Sequence, residues 1–118
     1  MNLTNKEILL RANACVSAGD YAGFLSWCTD DVIWEFVGDK TLSGKEAALA
    51  YMKTAYIEPP EFNIENLIAE GDLLSSIGKI TMKDKSGLRN AYAYCDVWHF
   101  RYGKMAKLKA FVINVDNP

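Results

Sequence analysis

Paired cysteines, histidine clusters and nucleotide-binding glycine motifs are all missing from this sequence. It contains three cysteines and one histidine in 118 residues. The cysteines, Cys15, Cys28 and Cys95, are odd in number and lack metal-ligand spacing, which argues against a disulfide framework and against a zinc site. We therefore expect reduced, mostly buried thiols and neither a metal nor another cofactor.

The sequence also lacks a surplus of basic charge and a long apolar run. Thirteen basic and fifteen acidic residues leave a formal net charge of −2, with no basic stripe, so nucleic acid is not an expected partner. The apolar runs are too short to cross a bilayer, and residues 1–6 do not resemble a signal peptide. We expect a cytoplasmic protein without a membrane partner.

What the sequence does contain is enough apolar material for one core. Half of its residues are hydrophobic, and a chain of this length normally forms a single domain, here residues 1–118.

Helix signals dominate the first part of the chain. Thr4–Glu7 is a capping box, which predicts a helix from Asn5 to about Ala18. Gly19 provides a C-terminal stop, and Asp20 is placed to cap a second helix ending at Trp27 or Cys28.

The next part of the chain predicts one strand followed by one helix. The β-branched and aromatic segment Val32–Val37 predicts a strand, and residues 38–42 are expected to form a loop. Ser43–Glu46 is read as a second capping box, followed by a helix to about Tyr56. The prolines at 59 and 60 end that helix.

The second half of the chain predicts strands only. Short polar turns separate them, which favours antiparallel neighbours. Early helices followed by hairpin strands indicate an α+β domain. The predicted strands are residues 62–69, 73–82, 89–102 and 105–115.

Several segments, in order, resemble the nuclear transport factor 2-like superfamily, which includes ketosteroid isomerases, scytalone dehydratase and SnoaL-like polyketide cyclases. The segments are Ala18–Tyr21, Cys28–Val32, Ser43–Ala47, Ala69–Asp72 and Trp98–Met105. The resemblance implies three helices, in the N-terminal half, packed on a strongly curved antiparallel sheet that forms a conical pocket. It also implies a small apolar ligand and a homodimer formed through the outer face of the sheet.

The long strand at 89–102 carries the main candidate site. Alternate residues of a strand share a face, so one face presents aromatics around a single carboxylate and is the expected pocket wall. The opposite face carries the lone histidine, which we expect at the outer surface or a dimer interface. The first face comprises Tyr92, Tyr94, Asp96, Trp98 and Phe100, and the second comprises Cys95, Val97, His99 and Arg101.

The resemblance to ketosteroid isomerases extends to one catalytic position. Asp96 falls where those enzymes keep a protonated aspartic acid in their oxyanion hole, a carboxyl group with a raised pKa. Phe36 stands at the position of their general base, and Ala12 stands at that of their first-helix tyrosine. We therefore do not expect ketosteroid isomerase activity.

The remaining hypothesis is a cofactor-independent isomerase, cyclase or lyase. Asp96 would be the general acid or base on a small apolar carbonyl compound, with Tyr94 as a hydrogen-bond donor. The ligand would be bound by Trp34, Phe36, Trp98 and Tyr92.

Plainer interpretations remain open for the same residues. Asp96 could be a structural carboxylate bonded to a tyrosine or to backbone amides, and the tyrosines could simply pack in the core. The protein would then be a non-catalytic ligand-binding module or a dimerisation module of the same fold.

Overall fold

The computed structural model describes residues 3–116, which form three helices and one six-stranded sheet. This confirms the predicted α+β class and the early placement of the helices. The elements are α1 Asn5–Ser17, α2 Tyr21–Leu25, β1 Cys28–Phe36, β2 Lys40–Ser43, α3 Lys45–Ala55, β3 Glu61–Glu70, β4 Leu73–Lys83, β5 Arg89–Arg101 and β6 Lys104–Asn114.

Two of the three predicted N-terminal caps are present, but α2 ends at Leu25, short of the predicted Trp27 or Cys28, and Cys28 begins β1. The Thr4 hydroxyl accepts from the Glu7 amide, and the Glu7 carboxylate accepts from the Thr4 amide, which completes the predicted capping box. Asp20 caps α2 by accepting from the Gly23 amide. The second predicted capping box is wrong: α3 begins after Gly44, which has a φ of 90° and offers no side chain to cap the helix.

The sheet has the order β2-β1-β6-β5-β4-β3. The neighbours joined by short turns are antiparallel, as predicted, but β1 and β6 run parallel, so the sheet is mixed. The predicted loop at 38–42 is partly strand, because β2 pairs with β1. Only Leu42 of the four β2 residues is apolar and the other three are exposed, so hydrophobic alternation is too short to mark this edge strand.

The backbones of β3 and β4 approach each other closely at one point, next to a shift in their register. The β3–β4 register shifts between Ile64 and Asn66, which is typical of a β-bulge, and a bulge bends the strand that carries it. Opposite the bulge, a Cβ added to Gly78 would lie 2.2 Å from the carbonyl oxygen of Asn63. Gly78 therefore permits an approach that no other residue would allow without a shift of the backbone.

The core lies between the three helices and the concave face of the sheet. Side chains from α1, α3 and several strands are almost fully buried there, among them Leu9, Val32, Met52, Leu74 and Met105. This layer closes one end of the molecule. No helix within residues 3–116 is long and apolar enough to cross a membrane.

The cysteines are unpaired thiols in different environments. Cys28 is fully buried, and burial raises the pKa of its thiol to about 12. Cys15 and Cys95 are half-buried. Among residues 3–116, no group of three or more His, Cys, Asp or Glu side chains is arranged to hold a metal ion.

Candidate functional site

A cavity of about 380 Å³ separates the helices from part of the concave sheet face. Its volume lies in the lower part of the range usual for small-molecule sites. Helices, strands and the turn after β1 all contribute to its wall, which is largely apolar and rich in aromatic rings. The lining residues are Leu9, Asn13, Val16, Phe24, Trp34, Phe36, Val37, Asp39, Tyr51, Met52, Tyr56, Phe62, Ser76, Ile80, Met82, Tyr92, Tyr94, Asp96, Trp98, Leu108, Ala110 and Val112.

Strand β5 lies near the middle of the sheet and supplies the most polar part of the wall. Its alternation places Tyr92, Tyr94, Asp96 and Trp98 on the cavity side. Across the sheet, Asp96 is opposite Ser76 of β4 and Ala110 of β6. Directly opposite residues on one face have Cβ atoms about 5 Å apart, so the carboxyl group lies between a hydroxyl and a methyl group.

Asp96 lies in the cavity wall and is half-buried. Its carboxyl group has no hydrogen-bond or ion-pair partner among residues 3–116. Loss of hydration alone raises the pKa of this carboxyl to about 7. A carboxyl group with that pKa is present in both protonation states near neutral pH.

Tyr94 and Ser76 form the polar neighbourhood of this carboxyl group. The Tyr94 phenol and the Ser76 hydroxyl are 3.5 Å apart, the outer limit of a hydrogen bond. Ser76 is 2% exposed and Tyr94 is 6% exposed. Burial raises the pKa of Tyr94, and the Asp96 charge raises it further, so the phenol keeps its proton and can donate.

Two further tyrosines reach the cavity from α3 and the residue after it. Burial raises the pKa of Tyr56, with smaller contributions from Tyr51 and Asp96. Burial also raises the pKa of Tyr51, with contributions from Asp39 and Tyr92. The Tyr51 and Tyr56 rings pack edge-to-face with their centroids 6.3 Å apart. Neutral phenols therefore stand on the helix side of the cavity as well as on the sheet side.

Packed aromatic rings form one end of the cavity wall. Trp34 and Trp98 pack edge-to-face with centroids 6.4 Å apart, and Phe24 contacts both. The Trp34 indole Nε1 is buried and has no hydrogen-bond partner among the described residues. A buried indole N–H usually has an acceptor, so this donor is an unsatisfied buried group.

The structure brings the predicted catalytic and ligand-binding residues to one cavity, whereas Phe100, predicted on the same strand face, is buried in the core and does not line it. Trp34, Phe36, Tyr92, Tyr94, Asp96 and Trp98 all line it. Their roles in binding or catalysis stay predictions. His99 is exposed on the opposite face of β5, in line with its position in the strand.

Sequence reasoning did not identify several lining residues, chiefly those on helices. Leu9, Asn13 and Val16 follow a helical spacing that places them on one face of α1, whereas Ala12 is fully buried and does not line the cavity. Tyr56 comes just beyond the end of α3, one turn after Met52. This spacing could have indicated a cavity-facing stripe, but only packing decides which stripe faces an open space.

The family model described as SnoaL-like domain matches residues 9–108. No curated protein matches the chain.

Three similar structures illustrate the fold. An NTF2-like protein of unknown function from Burkholderia pseudomallei K96243 is 17% identical, with a TM-score of 0.81 over 90% of this chain and 88% of that one. A suspected SnoaL-like polyketide cyclase from Shewanella putrefaciens CN-32 is 14% identical, with a TM-score of 0.81 over 92% and 79%. TerC, co-crystallized with polyporic acid, is 22% identical, with a TM-score of 0.76 over 90% and 88%.

Proposed function

Because this chain belongs to the SnoaL-like domain family, within the nuclear transport factor 2-like superfamily, we propose that it uses its cavity to act on a small apolar carbonyl compound. Asp96 would be the general acid or base of a cofactor-independent isomerase, cyclase or lyase. The observation that carries the proposal is the position of Asp96, an unpaired carboxyl group at the wall of an otherwise largely apolar cavity.

The protonation of Asp96 suits either direction of proton transfer. With a pKa of about 7, the carboxyl group is available as an acid and as a base at neutral pH. The carboxylic acid can donate to a carbonyl oxygen and stabilise the negative charge that develops there. The carboxylate can remove a proton from the carbon next to the carbonyl group.

The neighbouring side chains would orient the substrate. In this proposal Tyr94 donates a hydrogen bond beside Asp96, on the same face of β5. Trp34, Phe36, Trp98 and Tyr92 form apolar walls that exclude water and hold the carbon skeleton.

Turnover in a panel of small cyclic and aromatic ketones, followed by NMR, would test the proposal. Asp96→Asn keeps the size of the side chain but cannot exchange a proton, so it should abolish turnover. Tyr94→Phe should reduce turnover and leave the fold intact. Asp84→Asn is the matched control, because Asp84 lies in the β4–β5 turn outside the cavity lining. An unchanged rate in Asp96→Asn would exclude the acid–base role.

A non-catalytic binding module of the same fold is the second candidate. It is favoured by the unpaired Asp96 in the cavity wall, which can orient a polar ligand without any reaction. Thermal stabilisation by a ligand that is recovered unchanged would support this candidate over the enzyme.

The outer sheet face supports a homodimer. Ile77, Cys95 and Phe111 lie opposite one another on β4, β5 and β6, and Ile113 follows on the same face of β6. Phe111 is 40% exposed and Ile113 is 65% exposed, an apolar strip that a second copy would cover. Light scattering at micromolar concentration should give a dimer, and Phe111→Asp should give a monomer. A monomeric parent protein would exclude this assembly.

Two expectations from the sequence stay predictions. A cytoplasmic location is one, and the extent of a single domain over residues 1–118 is the other. Residues 1, 2, 117 and 118 of that range lie outside the described residues.

A further inference from the structure

The charged groups that line the cavity are all acidic. Asp39, in the turn after β1, and Asp96 are both in the wall. Among the residues that the structure describes, no lysine, arginine or histidine lines the cavity. Lys40 follows Asp39, but its ammonium group lies over the Tyr51 ring, 5.2 Å from the centroid, and is not part of the lining. The interior therefore disfavours anions and favours a positive charge.

Asp96 in particular has no cation from the protein within reach. Its cross-strand neighbours are Ser76 and Ala110, and the next residue in that row across the sheet is Phe36. The salt bridges formed by residues 3–116 join exposed side chains elsewhere on the surface. An ionised carboxylate in such surroundings needs a positive partner, and here only a bound molecule can provide one.

The rest of the wall suits the apolar part of a cation. The faces of aromatic rings carry partial negative charge and attract organic ammonium groups, most strongly when water is excluded. Tyr94 and Trp98 flank Asp96 on the same face of β5, Trp34 packs against Trp98, and Tyr56 lines the cavity from the end of α3. A carboxylate surrounded by aromatic side chains is the combination that recognises alkyl- and arylammonium ions.

We propose that this cavity binds small organic amines, with the ammonium group paired to Asp96 and its apolar substituents packed against the aromatic wall. This ligand class goes beyond the carbonyl compounds considered above and rests on the proposed function only in taking the cavity as the ligand site. The ionised form of Asp96 pairs with the amine, whereas its protonated form donates a hydrogen bond to a neutral carbonyl compound. Burial without a partner holds the pKa of Asp96 near 7, and a bound ammonium group would lower it.

Three probes of matched size separate charge from shape: benzylamine, benzyl alcohol and benzoate. Calorimetry at about pH 8 keeps Asp96 mostly ionised and benzylamine protonated. We expect benzylamine to bind about tenfold or more tightly than benzyl alcohol. Benzoate should show no measurable binding.

Variants assign the effect to one carboxyl group. Asp96→Asn should remove the preference for benzylamine while benzyl alcohol still binds, and Asp84→Asn should retain the preference. Loss of the preference in Asp39→Asn instead of Asp96→Asn would overturn the assignment to Asp96.

The probes also distinguish failure of this inference from failure of the proposed function. If benzyl alcohol binds and benzylamine binds no better, the amine inference is wrong and the pocket function stands. If none of the three probes binds, both the amine inference and the pocket function are contradicted.

Discussion

Replacing Asp96 with asparagine should stabilise the protein at alkaline pH and not at acidic pH. The carboxyl pKa is about 7 in the folded protein and about 3.8 when the chain is unfolded. Between these values the folded state holds a proton that the unfolded state has released. The folded pKa is the higher one, so the free energy of unfolding of the parent protein falls as the pH rises through this window.

The size of the effect follows from the two pKa values. Each pH unit inside the window costs the parent protein about 1.4 kcal/mol of stability. Between pH 5 and pH 8 the sum is roughly 2.5 kcal/mol, because the penalty levels off above the folded pKa. Asparagine does not ionise, so the stability of Asp96→Asn relative to the parent should rise by that amount over the same interval.

Urea unfolding at several pH values between about 5 and 9 measures this difference directly. All other titrating groups are shared by the two proteins and cancel in the difference. Asp84→Asn is a control in which the pKa of the replaced carboxyl group is lowered in the folded protein instead of raised. Hydrogen bonds from Ser86, Asn90 and Leu88 lower the pKa of Asp84 to about 2, so its contribution is constant above about pH 5 and is lost only in acid. A relative stability of Asp96→Asn that is flat across the range would refute a raised pKa at Asp96.

Two further predictions concern backbone geometry. Gly78→Ala should destabilise the protein by about 1–3 kcal/mol in urea unfolding, because the new Cβ would clash with the Asn63 carbonyl oxygen. The control Lys79→Ala, at an exposed position, should have little effect. Tyr102→Asn should stabilise it by about 0.5–1 kcal/mol, since Tyr102 is 98% exposed, has a φ of 51° and precedes Gly103 in a two-residue turn. A destabilised Tyr102→Asn variant would contradict that reading of the turn.

Local sequence signals predicted most of the elements because their causes are local. The Thr4–Glu7 box and Asp20 act on backbone groups three residues away, and the structure shows both caps in place. The same reasoning failed at Ser43–Glu46, where Ser43 is the last residue of β2 and Gly44 precedes the helix. Strand β2 itself was missed because a four-residue edge strand with one apolar residue, Leu42, is too short to show a periodic pattern.

Pairing between distant strands could not be read from the sequence in the same way. Short turns predicted the antiparallel neighbours, but nothing near β1 in the chain indicates that it lies parallel to β6. That pairing completes the row from Phe36 through Ala110 to Asp96 and so sets what surrounds the carboxyl group.

The sequence by itself determined which side chains share a face, because alternation along β5 is a property of any extended strand. It placed Tyr92, Tyr94, Asp96 and Trp98 together and His99 opposite them. Only the tertiary structure decided that the space beside this face stays open, that Tyr56 and Asn13 close it from the helices, and that no basic side chain among residues 3–116 lines it. Residues far apart in the chain determine how deeply a group is buried and which charges lie near it. The pKa of Asp96 therefore depends on the fold and not on its neighbours in sequence.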